Sequence, residues 1–312
     1  MIYTVTLNPA MDKTVVIPSL TLDAVNRIEE MRTDPGGKGI NVSKVISKLN
    51  GKSIAAGILG GNTGKAIENA LKELGLETMF RYADGETRTN MKIIDPVKRE
   101  NTDINEPGVI VSQEILEELR SAISERLEKD DLVIISGSMP KGAPSDTYYK
   151  WIKHFRESGA KVFLDADGVL FKTGIKASPY LIKPNNHELS QFAGRELKTT
   201  NELAEVARQM MSEYGIEKIV VSMGGDGALY LTKEECVYAK GLKVPVGSTV
   251  GAGDSVVAAL AYAEEQRLSL EDTVRLSTAT GAANVMCSGT QAAEYEVIES
   301  LIPKVEYTKL DF

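Results

Sequence analysis

The chain has 312 residues, 42% of them hydrophobic, which is enough to build one large α/β domain or two small ones around a substantial core. Its formal net charge of -8 and its pI near 5.1 mean that the overall field repels nucleic acids and anionic membranes. We therefore expect no nucleic-acid or membrane partner, and any phosphate group must be bound by local features of the chain.

The cysteines and the N-terminal pattern predict a cellular location. Cys236 and Cys287 are far apart and have no metal-ligand types beside them, which favours a reducing compartment without disulfides or a zinc cluster. Residues 1–9 have the pattern of a strand rather than an export signal, and no segment is long and apolar enough to span a bilayer. The expected location is cytoplasmic.

Strands and helices alternate along most of the chain. Strands are predicted at 2–7, 54–59, 77–82, 132–135, 162–165, 180–182, 218–222 and 229–231, and helices at 63–74, 112–129, 146–157, 169–173 and 201–214. Alternation of this kind is typical of a mainly parallel sheet covered by helices.

Two segments depart from this alternation and favour small β structures. Residues 14–17 and 25–31 are β-prone pieces separated by Pro18, and they predict a small hairpin. Residues 86–94 alternate with period two, which places Arg88, Asn90 and Lys92 on one face of a strand. Such a stripe suits a sugar phosphate, although the solvent-exposed face of an antiparallel pair gives the same pattern.

The clearest chemical signal is a small-residue turn at 248–255 that runs into an apolar, alanine-rich segment. Gly251, Ala252 and Gly253 leave the first backbone N–H groups of a predicted helix unobstructed, and the helix dipole adds positive charge there, so the turn can hold an anion. Asp254 lies in the same turn, where a carboxylate can accept the proton of an attacking hydroxyl. The alternative is that Asp254 only caps the helix.

Further polar residues follow the predicted strands. Asp12 comes just after the first strand, and Ser138 comes after the strand at 132–135, where sites gather at the carboxyl ends of parallel strands. Residues 36–39 contain three glycines in four positions before a helical pattern, with Lys38 and Asn41 beside them, so the backbone is predicted to approach a ligand closely. Turn formation alone would explain Asp12 and the glycines equally well.

Two other motifs leave alternatives open. Asn185 and Glu188 are three apart at a predicted helix start, a spacing that suits a hydrated cation but also a capping box. The glycines at 224–227 precede a strand rather than a helix, which argues against a dinucleotide fold, and the glycine that a P-loop needs before Gly51 is replaced by Ile46.

Taken together, the glycine turn with Lys38 and Asn41, the Asn185 and Glu188 pair, the turn at 224–227 and the loop at 251–254 resemble the ribokinase/PfkB family of carbohydrate kinases. Segments 4–12 and 36–42 are most similar to its sugar-phosphate branch. The resemblance implies a three-layer, ribokinase-like α/β fold with a mainly parallel sheet between helices. It further implies a single kinase domain at 1–312, with a small β-sheet lid built from about 12–34 and 86–106.

The resemblance also assigns roles to individual residues. It implies that Asp254 is the base and that Gly251, Ala252 and Gly253 form the anion hole. It implies sugar-phosphate contacts from Asp12, Gly36, Gly37, Lys38, Asn41, Arg88, Asn90 and Ser138. It implies that ATP lies along Lys183, Asn185, Ser222, Gly224, Gly227 and Asn284, and that Glu188 and Asn185 organise Mg²⁺ and its waters.

The implied activity is ATP-dependent phosphorylation of a ketohexose phosphate, with fructose 1-phosphate expected and tagatose 6-phosphate as the alternative. Some fructose 6-phosphate kinases of the family carry an arginine where Asp103 falls here, which disfavours that substrate. A non-catalytic sugar-phosphate sensor is the alternative of another class, although it would need neither Asp254 nor its turn. A homodimer formed through the lid is a further implication of the resemblance.

Overall fold

The computed structural model describes residues 1–310, and over that range strands and helices alternate as the sequence pattern predicts. The predicted single domain at 1–312 includes two residues that lie outside the described range. The strands are β1 (Ile2–Thr6), β2 (Ala10–Val16), β3 (Glu30–Gly36), β4 (Ser53–Gly60), β5 (Glu77–Ala83), β6 (Arg88–Asp95), β7 (Glu100–Asn105), β8 (Leu132–Ser136), β9 (Lys161–Asp165), β10 (Leu181–Ile182), β11 (Lys218–Ser222), β12 (Ala228–Leu231), β13 (Cys236–Ala239) and β14 (Tyr307–Leu310).

The helices lie between these strands and towards the C-terminus. They are α1 (Lys38–Lys48), α2 (Gly61–Glu73), α3 (Gln113–Ser124), α4 (Thr147–Glu157), α5 (Gly168–Gly174), α6 (Asn186–Ala193), α7 (Thr200–Tyr214), α8 (Ala252–Glu265), α9 (Leu270–Val285) and α10 (Tyr295–Leu301). The helix predicted at 112–129 corresponds to α3, and the prediction that it extends to residue 129 is wrong. The chain turns earlier because Asp130 adopts a left-handed conformation and Asp131 accepts a hydrogen bond from the N–H of Glu128, which directs the chain into β8.

The large sheet has the strand order β14-β13-β12-β11-β10-β9-β8-β1-β4-β5. Neighbours from β5 to β11 run parallel, and β12 to β14 extend the sheet with antiparallel pairs. Side chains alternate across each strand, so Val133 and Ile135 of β8 join one hydrophobic core while Leu132 and Ile134 join the other. Helices cover both cores, which confirms the predicted three-layer, ribokinase-like α/β architecture.

The second sheet has the order β3-β2-β6-β7, and we call it the lid. The predicted small hairpin is present as β2 and β3, and the strand predicted at 86–94 is β6, but β3 begins at Glu30 and ends at Gly36, so the strand expected at 25–31 is displaced toward the glycines. The displacement follows from the register, because Ala10 pairs with Gly36 and Val16 with Glu30, which leaves residues 17–29 as a connecting loop. A separate small core of Val15, Ile17 and Ile93 supports the lid.

The topology brings several chain segments to one edge of the large sheet. The carboxyl ends of β1, β8 and β9, together with the first turns of α1 and α8, face the lid across a cleft. Such an edge is where ligands bind in open α/β sheets. Among the helices of residues 1–310, none is long and apolar enough to cross a membrane.

Candidate active site

A cleft of about 550 Å³ separates the lid from the carboxyl ends of the strands. The structure brings nine of the predicted site residues into its lining, although their roles remain predictions: Asp12, Gly37, Lys38, Asn41, Arg88, Asn90, Ser138, Gly251 and Asp254.

Asp254 occupies the first turn of α8, at the floor of this cleft. Gly251 precedes the helix with a φ of 78°, a left-handed conformation that favours glycine, and the helix begins at Ala252, as the sequence predicts. The carboxylate is buried and accepts a hydrogen bond from the side-chain amide of Asn41 at 2.8 Å. Asp254 is therefore tied to α1 and aimed at the cleft, so it does more than cap its own helix.

The surroundings of Asp254 make it an unusually strong carboxylate base. Burial raises the pKa of Asp254 to about 6, and the negative charge of Asp165 acts in the same direction. The hydrogen bond from Asn41 and the charges of Lys38 and Lys183 partly offset this rise. A base with a pKa just below neutrality is ionised at pH 7 and still accepts a proton readily.

Asp165 ends β9 and balances two lysines beside Asp254. Its Oδ1 lies 3.4 Å from the Nζ of Lys38 and 3.7 Å from the Nζ of Lys183. Burial would raise the pKa of Asp165, but the two ammonium groups outweigh that effect and hold it below its ordinary value. The sequence reasoning missed Asp165, although the rule that singled out Asp12, an acid at the carboxyl end of a strand, applies equally to it.

On the lid, Asp12 faces the cleft beside Asn90, its register partner on β6. The amide of Asn90 donates to Oδ1 of Asp12 at 3.1 Å, and burial raises the pKa of Asp12. A Cβ at Gly36 would lie 2.0 Å from the Asp12 carboxylate, so any larger residue there would displace the carboxylate from this position. Within residues 1–310 the Oδ1 atoms of Asn41 and Asn90 are buried without a hydrogen-bond partner, and both can accept from sugar hydroxyls.

Arg88 lies at the end of the lid where Ala10 pairs with Gly36 and with Arg88, which we call the lid root. Backbone carbonyls hold its side chain in place. Its guanidinium donates to the carbonyl of Asn8 at 2.9 Å and to that of Pro9 at 3.4 Å, and the amide of Asn8 donates to Ser138 at 3.3 Å. Because these carbonyl acceptors are neutral, they fix the guanidinium without cancelling its charge, which suits an anchor for an anion. Asn8 was not predicted as a site residue.

The outer part of the cleft carries an ion pair between Lys92 of β6 and Asp103 of β7, 2.7 Å apart. Both residues line the cleft, as Asn105, Gly289 and Thr290 do. The period-two stripe correctly placed Lys92 beside Arg88 and Asn90, but no local pattern at 289–290 pointed to a site.

The predicted ATP residues lie beside the Gly251 turn and the ends of β10 and β11, outside the lining of the cleft under the lid. The Nζ of Lys183 would lie 3.3 Å from a Cβ at Gly253, and the amide of Asn284 donates to the carbonyl of Val250 at 3.5 Å. Ser222 forms a parallel bridge with Asn185. The remaining predicted residues are Gly224 and Gly227. Gly224 adopts a left-handed conformation. At Gly227 a Cβ would lie 2.0 Å from the carbonyl oxygen of Ala239, so backbone packing alone requires glycine there.

Asn185 and Glu188 form a capping box at the start of α6. The side chain of Asn185 accepts from the N–H of Glu188, and the side chain of Glu188 accepts from the N–H of Asn185, both at 2.8 Å. In the described part of the chain, no three His, Cys, Asp or Glu residues are grouped to hold a metal ion directly. The residues therefore fit an ion such as Mg²⁺ only if waters and substrate phosphates supply most of its ligands, which is the coordination Mg²⁺ favours. Its binding by Asn185 and Glu188 stays a prediction.

Comparison with known proteins gives the same family as the resemblance. The chain matches the model of the pfkB family of carbohydrate kinases over residues 5–296. It is 36% identical over 314 residues to a 1-phosphofructokinase of Bacillus subtilis, an alignment that spans 99% of this chain and 100% of that relative.

Two solved structures of phosphofructokinase-2 from Escherichia coli, each 28% identical to this chain, share the fold over 97% of this chain and 98% of theirs. The form in complex with potassium superposes with a TM-score of 0.92, and the tetrameric inhibited form with a TM-score of 0.89. Transfer of a phosphoryl group from ATP to an alcohol group of a sugar phosphate is the activity that these relatives support. The chain belongs to the PfkB family of carbohydrate kinases.

Proposed function

We propose that this kinase transfers the γ-phosphoryl group of ATP to the C6 hydroxyl of fructose 1-phosphate, giving fructose 1,6-bisphosphate and ADP. The observation that carries the proposal is the position of Asp254, a buried carboxylate with a pKa of about 6 at the mouth of a glycine-rich helix N-terminus and in the lining of the cleft. The relative named 1-phosphofructokinase, aligned over nearly the whole chain, supports the choice of substrate.

In the proposed reaction, Asp254 removes the proton of the C6 hydroxyl as the oxygen attacks the γ-phosphorus. The new O–P bond forms while the bond to the bridging oxygen of ATP breaks, and that oxygen leaves with its electron pair on ADP. The N–H groups at the start of α8 stabilise the charge of the transferring group, and Lys38 and Lys183 add positive charge near it.

The sugar is proposed to lie between the base and the lid. Arg88, with Asn8 and Ser138 beside it, binds the phosphate that the sugar already carries, while Asp12 and Asn90 accept or donate to ring hydroxyls. The position of Lys38 against Asp165 and near Asp254 supports a role at the transfer end of the cleft rather than at the sugar's phosphate. This differs from the role that the resemblance implies.

Asn185 and Glu188 are the residues proposed to hold Mg²⁺ through waters. The chemistry that Mg²⁺ supplies in kinases is neutralisation of the phosphate charge that develops during transfer.

The base role is tested with Asp254→Asn, which keeps the shape and the hydrogen bond from Asn41 but removes the proton acceptor. We expect kcat to fall by about 10²–10⁴-fold, the usual contribution of general base catalysis. The dissociation constants of fructose 1-phosphate and ATP, measured by calorimetry, should stay within a few-fold of the wild type. A variant that retains a tenth or more of the wild-type kcat would refute the role.

The substrate is tested by comparing kcat/KM for fructose 1-phosphate, tagatose 6-phosphate and fructose 6-phosphate in an ADP-release assay. Fructose 1-phosphate should give the highest value. A higher value for tagatose 6-phosphate would replace the proposed substrate, whereas tight binding of a sugar phosphate without ADP release would favour a sensor.

A further inference from the structure

A lysine outside the cleft lining connects three of the walls that form it. Lys44 lies on α1, one turn after Asn41, and its side chain is partly buried. Its ammonium donates to the carbonyl of Pro35 at 2.9 Å and to the carbonyl of Thr290 at 3.1 Å. Pro35 belongs to β3 of the lid, and Thr290 belongs to the loop that follows α9.

Each of these contacts lies next to a group that faces the substrate. Pro35 precedes Gly36, whose backbone packs directly against the Asp12 carboxylate. Thr290 itself lines the cleft. The helix that carries Lys44 also carries Asn41, which holds Asp254 by a 2.8 Å hydrogen bond. One ammonium group therefore fastens the lid root and the 289–290 loop to the helix that orients the base.

The charges around Lys44 give it a second effect on the same groups. Its ammonium interacts electrostatically with the carboxylates of Asp34, Asp12 and Asp254 and with the guanidinium of Arg32. Burial lowers the pKa of Lys44 below its ordinary value, and the three acids work against that lowering. Arg32 is already paired with Asp34 at 2.5 Å.

We propose that Lys44 is a positioning residue of this kinase, which holds the lid root and the loop at 289–290 against α1 so that Asp12 and Asp254 face the same substrate. The inference rests on the proposed function for the assayed sugar and for the role of Asp254 as base. It assigns Lys44 no contact with substrate.

The same helix offers a matched control for a purely structural role. Lys48 lies one turn beyond Lys44 and is paired with Glu294 at 2.6 Å, so it also ties the chain after α9 to α1. The side chains of Lys48 and Glu294 are 38% and 65% exposed, and exposed pairs of this kind contribute little. Lys48→Met removes a surface tie of similar topology without removing the contacts to Pro35 and Thr290.

The experiment compares Lys44→Met, Lys44→Arg and Lys48→Met for kcat/KM, for its dependence on pH and for melting temperature. For Lys44→Met we expect a loss of about tenfold or more in kcat/KM, because small displacements of aligned groups cost rate steeply. On the acid side of the pH profile, the fall in kcat/KM should move to higher pH, because the loss of a positive charge near Asp254 raises the pKa of Asp254. The other charged groups near Asp254, which are Asp165, Lys38 and Lys183, remain in the variant.

Two control variants separate the effect of the Lys44 charge from the general effect of losing an ion pair on α1. Lys44→Arg keeps the positive charge, so the fall in its kcat/KM at acid pH should occur at the same pH as in the wild type. Lys48→Met should stay within about twofold of the wild type, as expected for an exposed pair.

Amide hydrogen exchange gives a readout that does not depend on the assayed sugar. Residues 30–36 and 286–292 should exchange faster in Lys44→Met than in the wild type, while β8 stays unchanged. If the wild type does not phosphorylate fructose 1-phosphate, the proposed substrate fails and the exchange data still test Lys44.

The inference is overturned if Lys44→Met keeps wild-type kcat/KM and exchange, or if Lys48→Met causes an equal loss. Should Lys44→Met fail to fold, Lys44→Gln takes its place in the same measurements, because it also removes the ammonium group that contacts Pro35 and Thr290. A folded Lys44→Gln with wild-type kcat/KM and wild-type exchange would overturn the inference.

Discussion

At the scale of single residues, the pKa of Asp254, the proposed base, is set by buried neighbours. Asp254 is flanked by one carboxylate, Asp165, and by two lysines that Asp165 holds in place. The arrangement keeps a pair of acids in one low-dielectric region, so one pKa rises while the other falls. This separation allows Asp165 to remain charged as a support while Asp254 takes up a proton.

In Asp165→Asn, the fall in kcat/KM on the acid side of the pH-rate profile should move to lower pH. The proposed base works only when deprotonated, so wild-type activity falls as the pH drops through about 6. Removing the Asp165 charge lowers the pKa of Asp254, and the freed ammonium groups of Lys38 and Lys183 lower it further. A pH-rate profile measures the shift, and an unchanged profile or a fall at higher pH would contradict the charge coupling.

Glu264→Gln serves as the control for that experiment. Glu264 is also a mostly buried carboxylate bonded to two lysines, Lys161 and Lys218, but these begin β9 and β11 at the end of the sheet opposite the cleft. Its substitution should leave the pH-rate profile unchanged.

At the scale of elements, the lid is a small sheet with its own core and its own internal brace. The brace is Asp95 at the end of β6, a buried side chain that accepts backbone N–H groups from two loops. One loop supplies Ser19 and Leu20, and the other supplies Val97 and Lys98, at 2.8–3.1 Å. These bonds outweigh the effect of burial and hold the pKa of Asp95 below its ordinary value.

Asp95→Ala should loosen the lid without unfolding the protein. The four N–H groups lose their acceptor, and the lid core of Val15, Ile17 and Ile93 is separate from the two main cores. We expect faster hydrogen exchange at 17–29 and 96–99, and a KM for the sugar phosphate that rises several-fold while kcat changes less. Asp95→Asn keeps one acceptor oxygen and should be intermediate. A large drop in melting temperature without local exchange would contradict the separate behaviour of the lid.

At the scale of the whole molecule, a second cluster of buried charge lies at the end of the large sheet opposite the cleft. Far from the cleft, Glu264 accepts hydrogen bonds from Lys161 and Lys218 at 2.6 Å and from the hydroxyl of Tyr180 at 2.8 Å. Both ammonium groups also lie over the Tyr180 ring, at 5.1 and 5.5 Å from its centroid. This cluster joins the amino ends of β9 and β11 to α8.

Glu264→Gln should destabilise the fold by about 1.5–3 kcal/mol at neutral pH, the range for hydrogen bonds to charged groups. Burial opposes ionisation, but the bonds from Lys161 and Lys218 hold the pKa of Glu264 below its ordinary value. The stability it contributes is therefore present above its unfolded pKa and is lost as the pH falls through its folded pKa. Denaturant unfolding at several pH values should show the variant and wild type converging in acid, and equal stability at neutral pH would contradict the prediction.

We also propose a homodimer formed through the lid. Leu22 and Val25 of the loop at 17–29 are 90% and 86% exposed, and Met31 of β3 is 61% exposed, which leaves a large apolar surface on one small sheet. Light scattering should give a mass near twice the 33.8 kDa of the chain. Val25→Glu combined with Leu22→Glu should give the monomer, whereas Ile110→Glu, an exposed position outside the lid, should not. A monomeric wild type would refute the proposal.

The sequence by itself determined the α/β class, the helix that begins after Gly251 and the cleft residues around Asp12, Lys38, Asn41 and Asp254. Those features are local, because periodicity, glycine-rich turns and polar residues at strand ends depend on neighbours in the chain. The displacement of β3 and the early end of α3 depended on pairing register and on the route into β8.

Only the tertiary structure decided which distant groups act on Asp254. Asp254 contacts Asn41 from 213 positions away, and Lys44 contacts Thr290 from 246 positions away. Asp165 stands beside Asp254 because β9 ends and α8 begins at the same edge of the sheet. Burial and charge then fix the pKa of the carboxylate, and both are properties of the packed molecule that no local pattern of residues contains.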